Sequence, residues 1–358
     1  MAYTTINKSS EYMDTCLWDG NNSTSDRNIT TGVNGADLVW TKRRDNAYPH
    51  MIFDSVRTFA GDKGLSSHDQ TEEGSVAAAA NGYIGGTGDS FITLKEGSGD
   101  IAYTNANGGG YTAWSWKAGT TGSGTTTGSG TGKTYNYSVN TTSGFSIIKY
   151  TGNGSSGHTI PHHLGVTPSF LIVKRLNTNG TSWMVYHKDL GETKNLILDA
   201  GNAFADDDSI WNDVAPNATN FTCGSSTSTN GNDDTYICYA FGEKTGYCKA
   251  GSYTGNSSTD GTFVYCGLKP TWVLIKNSTD SSNHWHIYDN KRLGYNPDNN
   301  MQRPNIADED KTDDDIDLLS NGFKLRRNSG AFNTGHTYVY LAIGQTMVGT
   351  NNIPATAR

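Results

Sequence analysis

The stretch Phe170-Leu171-Ile172-Val173-Lys174-Arg175 has two related versions elsewhere in the chain. They are Trp272-Val273-Leu274-Ile275-Lys276-Asn277 and Asp37-Leu38-Val39-Trp40-Thr41-Lys42-Arg43. A second apolar and aromatic segment follows each lysine: Met184-Val185-Tyr186-His187, His286-Ile287-Tyr288-Asp289 and Met51-Ile52-Phe53-Asp54. The separation from the lysine to a closing tyrosine is 62 residues in two copies (174 to 236, 276 to 338) and 69 in the other (42 to 111). Such even spacing indicates an internal repeat.

The repeat predicts an all-β chain of three tandem homologous units, each an antiparallel β-sandwich of about 100 residues. We place the units at residues 1–119, 144–246 and 247–345, with a C-terminal tail at 346–358. Residues 120–143 are rich in Gly, Ser and Thr, a composition typical of a flexible linker. We therefore expect the first unit to be hinged, and the second and third units to sit at a fixed angle because almost nothing separates them.

Composition excludes several classes of protein. The 358 residues contain 34% hydrophobic and 17% charged residues, 43 glycines and a net charge of −8. Low charge with 11% aromatic residues disfavours charge-driven disorder. No apolar run is long enough for a membrane span, and the first residues contain no apolar signal core. The acidic balance disfavours nucleic-acid binding. What remains is a β-rich chain with many turns.

Nine repeated residues are expected to form the cores of the units. They are Trp40, Phe53, Trp114, Ile172, Tyr186, Tyr236, Leu274, Tyr288 and Tyr338. The five cysteines, Cys16, Cys223, Cys238, Cys248 and Cys266, have no C-x-x-C spacing. An odd count without an export signal favours reduced thiols in or near the cores, although a Cys238–Cys248 or Cys248–Cys266 bridge is an alternative.

The pattern as a whole resembles a known group of proteins. It runs from Tyr150-Thr151-Gly152-Asn153-Gly154, through the apolar segment ending in lysine, to Ser320-Asn321-Gly322-Phe323 and Thr337-Tyr338-Val339. With the opening at residues 5–10 and the ending at 348–358, it is similar to uncharacterised structural proteins of tailed phages, common in phages of marine bacteria including cyanophages. The resemblance covers essentially the whole chain and implies a virion component. It carries no catalytic motif.

Candidate sites for chemistry are few. His162-His163 and His284-x-His286 are the only tight histidine pairs, and neither has a third metal ligand nearby. The acidic runs at 206–208, 232–234 and 308–317 are read as solvated loops, with Ca²⁺ binding at the last as an alternative. Glycosidase carboxylate pairs are not excluded, but nothing selects one. We therefore expect no catalytic residues, no metal and no cofactor.

Aromatic side chains are the remaining signal for ligand binding. Most of the eight tryptophans fall in the repeated segments and are expected to pack in cores. Trp211, followed by Asn212 and Asp213, lies in a loop pattern instead and is a candidate for stacking on a sugar ring or contacting a receptor.

Three functions are compatible with these features. The first is a non-enzymatic tail fibre or appendage on the virion exterior, made in the host cytoplasm, which contributes to host-surface attachment. The second is a capsid decoration protein, and the third is a glycan-degrading virion enzyme. The expected partners are other virion proteins, a host-surface glycan or protein, and further copies of the chain, with a trimer favoured. Nucleic-acid binding and membrane insertion are not expected.

Overall fold

A computed structural model describes residues 4–298, 300–313 and 315–348 of the chain. Over these residues the protein is built from β-strands, with two four-residue α-helices and two 3₁₀ turns at Ser9–Glu11 and Gly61–Lys63. The all-β prediction is therefore confirmed. No helix in the described ranges is both long and apolar enough to cross a membrane. Most of the tail predicted at 346–358 lies outside the described residues, from position 349 onward.

The first third of the chain forms one large and one small antiparallel sheet. The large sheet has the order β1-β8-β3-β4-β5, and the small sheet has the order β2-β7-β6. The strands and the helix are β1 (Met13–Asp19), β2 (Arg27–Thr30), β3 (Leu38–Arg43), β4 (Met51–Asp54), β5 (Leu65–Ser66), α1 (Ala78–Asn81), β6 (Tyr83–Gly88), β7 (Phe91–Lys95) and β8 (Gly110–Trp116).

The second third again forms a large and a small sheet. The large sheet has eight strands in the order β17-β16-β15-β14-β19-β12-β11-β9, and the small sheet is β10-β13-β18. The elements are β9 (Thr120–Thr125), β10 (Thr127–Gly128), β11 (Thr134–Asn140), β12 (Phe145–Thr151), β13 (His158–Pro161), β14 (Pro168–Arg175), β15 (Met184–His187), β16 (Lys194–Ile197), β17 (Ala205–Asp206), α2 (Asp208–Trp211), β18 (Asn220–Cys223) and β19 (Thr235–Gly242).

The last third has a four-stranded large sheet, β20-β26-β22-β23, and a small sheet, β21-β25-β24. Its strands are β20 (Cys248–Thr254), β21 (Phe263–Tyr265), β22 (Leu268–Asn277), β23 (Trp285–Asp289), β24 (Ile316–Leu319), β25 (Gly322–Leu325) and β26 (Thr337–Thr346).

The three large sheets share one strand order. In each sheet the closing strand lies between the opening strand and the central strand, and the central strand pairs on its other side with its hairpin partner. The orders are β1-β8-β3-β4, β12-β19-β14-β15 and β20-β26-β22-β23. The register also matches, because Trp40 faces Ile52, Ile172 faces Val185 and Leu274 faces Ile287. Positions in the three sheets can therefore be compared one by one. The division into homologous domains with the boundaries given above stays a prediction.

The composition of the Gly/Ser/Thr tract at 120–143 predicts a flexible linker. The structure contradicts this prediction, because the tract forms paired strands. Strand β9 pairs with β11 from Thr120 to Thr125, and β11 pairs in turn with β12. A Cβ atom at Gly122 would come within 2.5 Å of the Tyr137 hydroxyl, and one at Gly124 within 2.7 Å of the Tyr135 hydroxyl. The glycines thus make room for tyrosines on the neighbouring strand.

Each large sheet packs one face against its own small sheet. The outer cores formed in this way contain Phe53 in the first third, Tyr186 and Tyr236 in the second, and Tyr288 and Tyr338 in the last. The other repeat residues, Trp40, Trp114, Ile172 and Leu274, belong to a different cluster. All nine are buried, with at most 5% of their surface exposed.

The opposite faces of the three large sheets meet in one shared inner core. Trp116 lies at its centre, with its ring centroid 5.5 Å from that of Trp272 and 6.4 Å from that of Phe241. These three rings come from the first, last and second thirds of the chain. The expected hinge between the first unit and the rest is therefore wrong, because opening it would expose this core to water.

Backbone hydrogen bonds link the thirds of the chain in a cycle. At each interface an amide from the loop after the hairpin donates to a carbonyl two residues beyond the repeated lysine of the next third. The three bonds are Glu73 to Leu176 at 2.9 Å, Phe204 to Ser278 at 2.8 Å and Asp310 to Arg44 at 2.7 Å. The last third thus contacts the first in the same way as successive thirds contact each other, and the arrangement is a closed, threefold-like ring.

Buried ion pairs join two of these interfaces. Asp54 and Arg57 pair at 2.6 Å with no exposed side-chain surface, and the Asp54 carboxylate accepts a hydrogen bond from Tyr239 at 2.8 Å. Asp289 and Arg292 repeat this pair at 2.6 Å, and Trp114 Nε1 donates to Asp289 at 3.0 Å. At the third interface the corresponding positions hold His187 and Leu190, and His187 Nε2 lies 3.2 Å from the Tyr340 carbonyl oxygen.

Replacing Arg57 with alanine tests the buried ion pair. The variant leaves the Asp54 carboxylate without its cation in the interior, so we expect the free energy of unfolding to fall by about 3–5 kcal/mol. Lys8→Ala removes a cation whose pair with Glu11 is exposed, and we expect it to cost about 1 kcal/mol or less. Urea unfolding followed by circular dichroism measures both. Equal, small losses would show that the buried pair does not hold the interface.

Candidate functional site

Trp211 is not available for ligand stacking, so the proposed contact through this residue is wrong. Its side chain is 2% exposed and packs edge-on against Tyr186, with ring centroids 6.1 Å apart. Asn212 ends helix α2 in the left-handed conformation, and Asp213 follows it with the same backbone sign. The sequence pattern resembled a loop because the helix is only one turn long. The indole instead fills the outer core of the second third.

The first histidine pair has structural contacts. His162 is buried, and its Nε2 lies 3.0 Å from the Asn217 carbonyl oxygen. Burial lowers the pKa of His162 to about 4, so the ring is neutral at neutral pH. His163 stacks on Tyr137 with ring centroids 3.7 Å apart. Across the described residues no group of three or more His, Cys, Asp or Glu side chains converges as a metal site would require.

The acidic runs are bound by backbone amides and by cations of the protein. Asp207 caps helix α2 by accepting from the Ser209 amide at 3.0 Å. Asp234 pairs with Arg175 at 2.6 Å. In the third run, Asp310 pairs with Arg44 at 2.8 Å and with Arg292 at 3.0 Å. Asp314 lies outside the described residues. The third run therefore contributes to the interface between the last and first thirds.

Three lysines at matching positions are fully buried. Lys42, Lys174 and Lys276 are the repeated lysines, and each ammonium group donates to backbone carbonyls, such as Thr181 O at 2.6 Å from Lys174 Nζ. Burial lowers the pKa of Lys42 to about 7 and that of Lys174 and of Lys276 to about 8. An amine of this kind is nucleophilic when a substrate can reach it. These three have no exposed surface, so they act within the fold.

An open polar groove lies on the last third of the chain. We call it the third-unit groove. Its volume is about 400 Å³. It is lined by residues 282–284, His286, Arg303, Asp313 and residues 327–331. The walls come from strand β23, the turn before it, the connection to β24 and the loop between β25 and β26. Only Ala331 among the lining side chains is aliphatic.

The same place is filled in the other two thirds. By strand register, His286 corresponds to Met51 and Met184, which face Thr41 and Val173 as His286 faces Ile275. Met51 packs in the outer core with Val76 and Ala78 at helix α1, and Met184 packs with Ile210 and Trp211 of helix α2. Between β23 and β24 the described part of the chain forms no α-helix. The groove therefore occupies the position that a helix and its apolar side chains take elsewhere.

Two buried nitrogen atoms at the groove lack a protein partner within the described ranges: His286 Nδ1 and Arg303 Nε. His286 is 2% exposed. Burial, with Arg303 nearby, lowers the pKa of His286 to about 3, so its ring is neutral at neutral pH. Burial also lowers the pKa of His284, whose Nδ1 lies 2.9 Å from Asn305 Nδ2. The neutral rings offer hydrogen bonds rather than charge.

The charge of the groove comes from its arginines. Arg303 lies 3.3 Å from Asp313 and 3.5 Å from Asp308, and the Asp313 side chain is 64% exposed. Arg327 is exposed and also lines the groove, and it forms no ion pair with any residue that the structure describes. Among the described residues the site thus holds one guanidinium without an ion pair and one with two carboxylate partners, of which Asp313 is largely in solvent.

Sequence reasoning singled out His284 and His286 but missed the arginines and the groove. A signal was present. The connection before β18 carries Ile210-Trp211, whereas the connection before β24 carries the acidic run from Asp308 and no tryptophan. Comparing the repeats at this point would have indicated that the last third has no counterpart of Ile210-Trp211 before β24.

Comparison with known proteins identifies the family. Residues 8–346 match the family model described as Domain of unknown function (DUF7483), and the chain belongs to this family. No curated protein and no solved structure matches the chain.

The buried lysines predict a pH dependence of stability. Their pKa is lowered in the folded chain, so the unfolded chain binds more protons above pH 7, and the free energy of unfolding should rise between about pH 7 and about pH 8.5. The interval stops below 9.0, the ordinary pKa of a thiol. Burial raises the pKa of Cys16 to about 12, so above pH 9.0 the free energy of unfolding loses a contribution from this thiol.

Urea unfolding across this interval measures the effect. Lys174→Met serves as the matched variant, because its free energy of unfolding should rise less with pH than that of the parent protein. A free energy that stays constant over the interval in the parent protein would show that the lysines remain charged in the fold.

Proposed function

We propose that this member of the DUF7483 family is a non-enzymatic structural protein on the exterior of a bacteriophage virion, in a tail fibre or tail appendage that contributes to host-surface attachment. The observation that carries the proposal is the third-unit groove, an open polar site with two arginines in its lining, on a body whose three large sheets pack together through a common core. A rigid body that carries an open polar groove suits recognition of an external surface.

The internal construction supports a structural role. Buried ionisable groups form contacts within the fold. They are the ion pairs Asp54–Arg57 and Asp289–Arg292 and the three repeated lysines. The outer surface is polar, with few large apolar side chains exposed. Such a surface keeps neighbouring copies on a crowded particle from sticking to one another. Other virion proteins are the proposed partners.

A capsid decoration protein is the second candidate, and the ring of three similar large sheets favours it. A body with threefold-like symmetry fits a threefold or quasi-threefold position in a shell lattice, where it can contact three equivalent neighbours. The trimer expected from sequence stays a prediction. The threefold-like arrangement described above forms within one chain, so it does not need two further copies to fill its inner core.

A cryo-EM map of the virion, combined with fitting of this fold, tests the proposal. We expect a small number of copies arranged around the tail. Hundreds of copies on the head would contradict the tail assignment and support decoration. Absence of the protein from purified particles by mass spectrometry would contradict both.

Attachment is tested separately by adsorption. Purified protein added in excess should slow adsorption of the phage to its host, because it occupies the same surface receptors. An unrelated acidic β-protein of similar size serves as the control. Unchanged adsorption, with the protein present on the tail, would assign it a structural role without receptor contact.

A further inference from the structure

We propose that the third-unit groove binds an acidic sugar residue, with its carboxylate or sulfate group held between Arg303 and Arg327 and its hydroxyl groups bound by the polar walls. The inference rests on the proposed attachment role for its biological setting. Its chemistry rests on the groove alone.

The arginines provide an anion site that is nearly free. Arg327 has no ion-pair partner among the residues that the structure describes. Arg303 is paired with Asp313 at 3.3 Å and with Asp308 at 3.5 Å, and their side chains are 64% and 35% exposed. Exposed pairs of this kind contribute little, so a ligand anion can replace Asp313 on Arg303 at small cost. Arginine binds carboxylate and sulfate oxygens through two parallel N–H groups. The two guanidinium groups can then share one oxyanion.

Buried polar nitrogen atoms at the groove point to a ligand rather than to a solvated surface. Arg303 Nε and His286 Nδ1 have no protein partner in the described part of the chain. A buried polar atom without a hydrogen bond costs about 1–3 kcal/mol. The positions that match His286 hold Met51 and Met184, which pack in apolar cores. The last third therefore places a polar ring where the other two have a thioether.

The rest of the groove fits hydroxyl groups and excludes two other classes of ligand. Ser282, Asn283, Asn328 and Ser329 line it and offer amide and hydroxyl groups. An apolar ligand would find one aliphatic side chain, Ala331. A long polyanion such as a nucleic acid would meet a chain with a net charge of −8. A single anionic group surrounded by hydroxyls, as in a uronic acid or a sulfated sugar, matches both features of the lining.

Binding of defined oligosaccharides to the purified full chain tests this inference. The probes are galacturonate oligomers, sulfated dextran oligomers and neutral dextran oligomers, measured by isothermal titration calorimetry at neutral pH. We expect at least one acidic probe to bind and the neutral probe not to bind. The two acidic arms distinguish a carboxylate from a sulfate ligand. Equal binding of the neutral probe, or no binding of either acidic probe, overturns the inference.

Neighbouring arginines supply a matched pair of variants. Arg327→Ala should weaken binding about tenfold or more, because it removes a charged hydrogen-bond donor. Arg326 is adjacent in sequence but pairs with Asp317 outside the groove, so Arg326→Ala should leave the affinity within about twofold, as for other surface changes away from a site. If the two variants weaken binding equally, the arginine contact is non-specific and the inference fails.

Two further variants act in opposite directions. Asp313→Asn removes the carboxylate that competes for Arg303 and should strengthen binding several-fold. His286→Met restores the residue found at the matching positions and should weaken binding without lowering the free energy of unfolding. Weaker binding by Asp313→Asn would contradict the exchange of carboxylates. Loss of binding by His286→Met together with loss of stability would contradict the role given to His286.

These outcomes are separable from those of the virion experiments. Acidic sugar binding by a protein that is absent from the particle would leave this inference standing and overturn the proposed function. A protein located on the tail that binds neither acidic probe would do the reverse.

Discussion

Each large sheet has two apolar faces, and only one of them is covered within its own third of the chain. The central strand Pro168–Arg175 is buried at nearly every position rather than at alternate ones, as expected for a strand covered on both sides. The small sheet covers one face. The other can be removed from water only by the other two large sheets, so the shared inner core is the constraint that fixes the closed ring, the cyclic backbone bonds and the loss of any hinge.

Polar groups at the edges of this core determine how the sheets are matched. Buried ion pairs contribute little net stability, because the cost of removing charge from water offsets their attraction. They do penalise wrong pairings strongly. The Asp54 carboxylate accepts a hydrogen bond from Tyr239, and the Asp289 carboxylate accepts one from Trp114. At the third interface His187 Nε2 lies against the Tyr340 carbonyl oxygen instead. The three interfaces therefore differ in chemistry, and each third of the chain has one correct neighbour on each side.

Much of the fold could be predicted from the sequence, because strand signals and their spacing are local. The continuous apolar run at 170–173 even indicated cover on both faces, but not that distant parts of the chain provide it. The tract at 120–143 was misread because glycine signals flexibility in composition, whereas here it accommodates Tyr135 and Tyr137 across the sheet. Trp211 was misread because one helical turn has no period to detect. The groove was missed because it lies where the described part of the last third has no counterpart of helices α1 and α2.

The unequal sizes of side chains around the inner core have a consequence for the units themselves. Cross-strand neighbours at one level are Leu38 with Trp116, Phe170 with Phe241, and Trp272 with Ile343. The tryptophan lies on the closing strand in the first sheet and on the central strand in the last sheet, and the second sheet has a phenylalanine on both strands. Three identical copies of the first third would bring together three Trp116 rings, and three of the last would bring together three Trp272 rings. Three copies of one third would thus crowd this level with like side chains, and such overpacking is destabilising, so the packing favours one of each third in the ring.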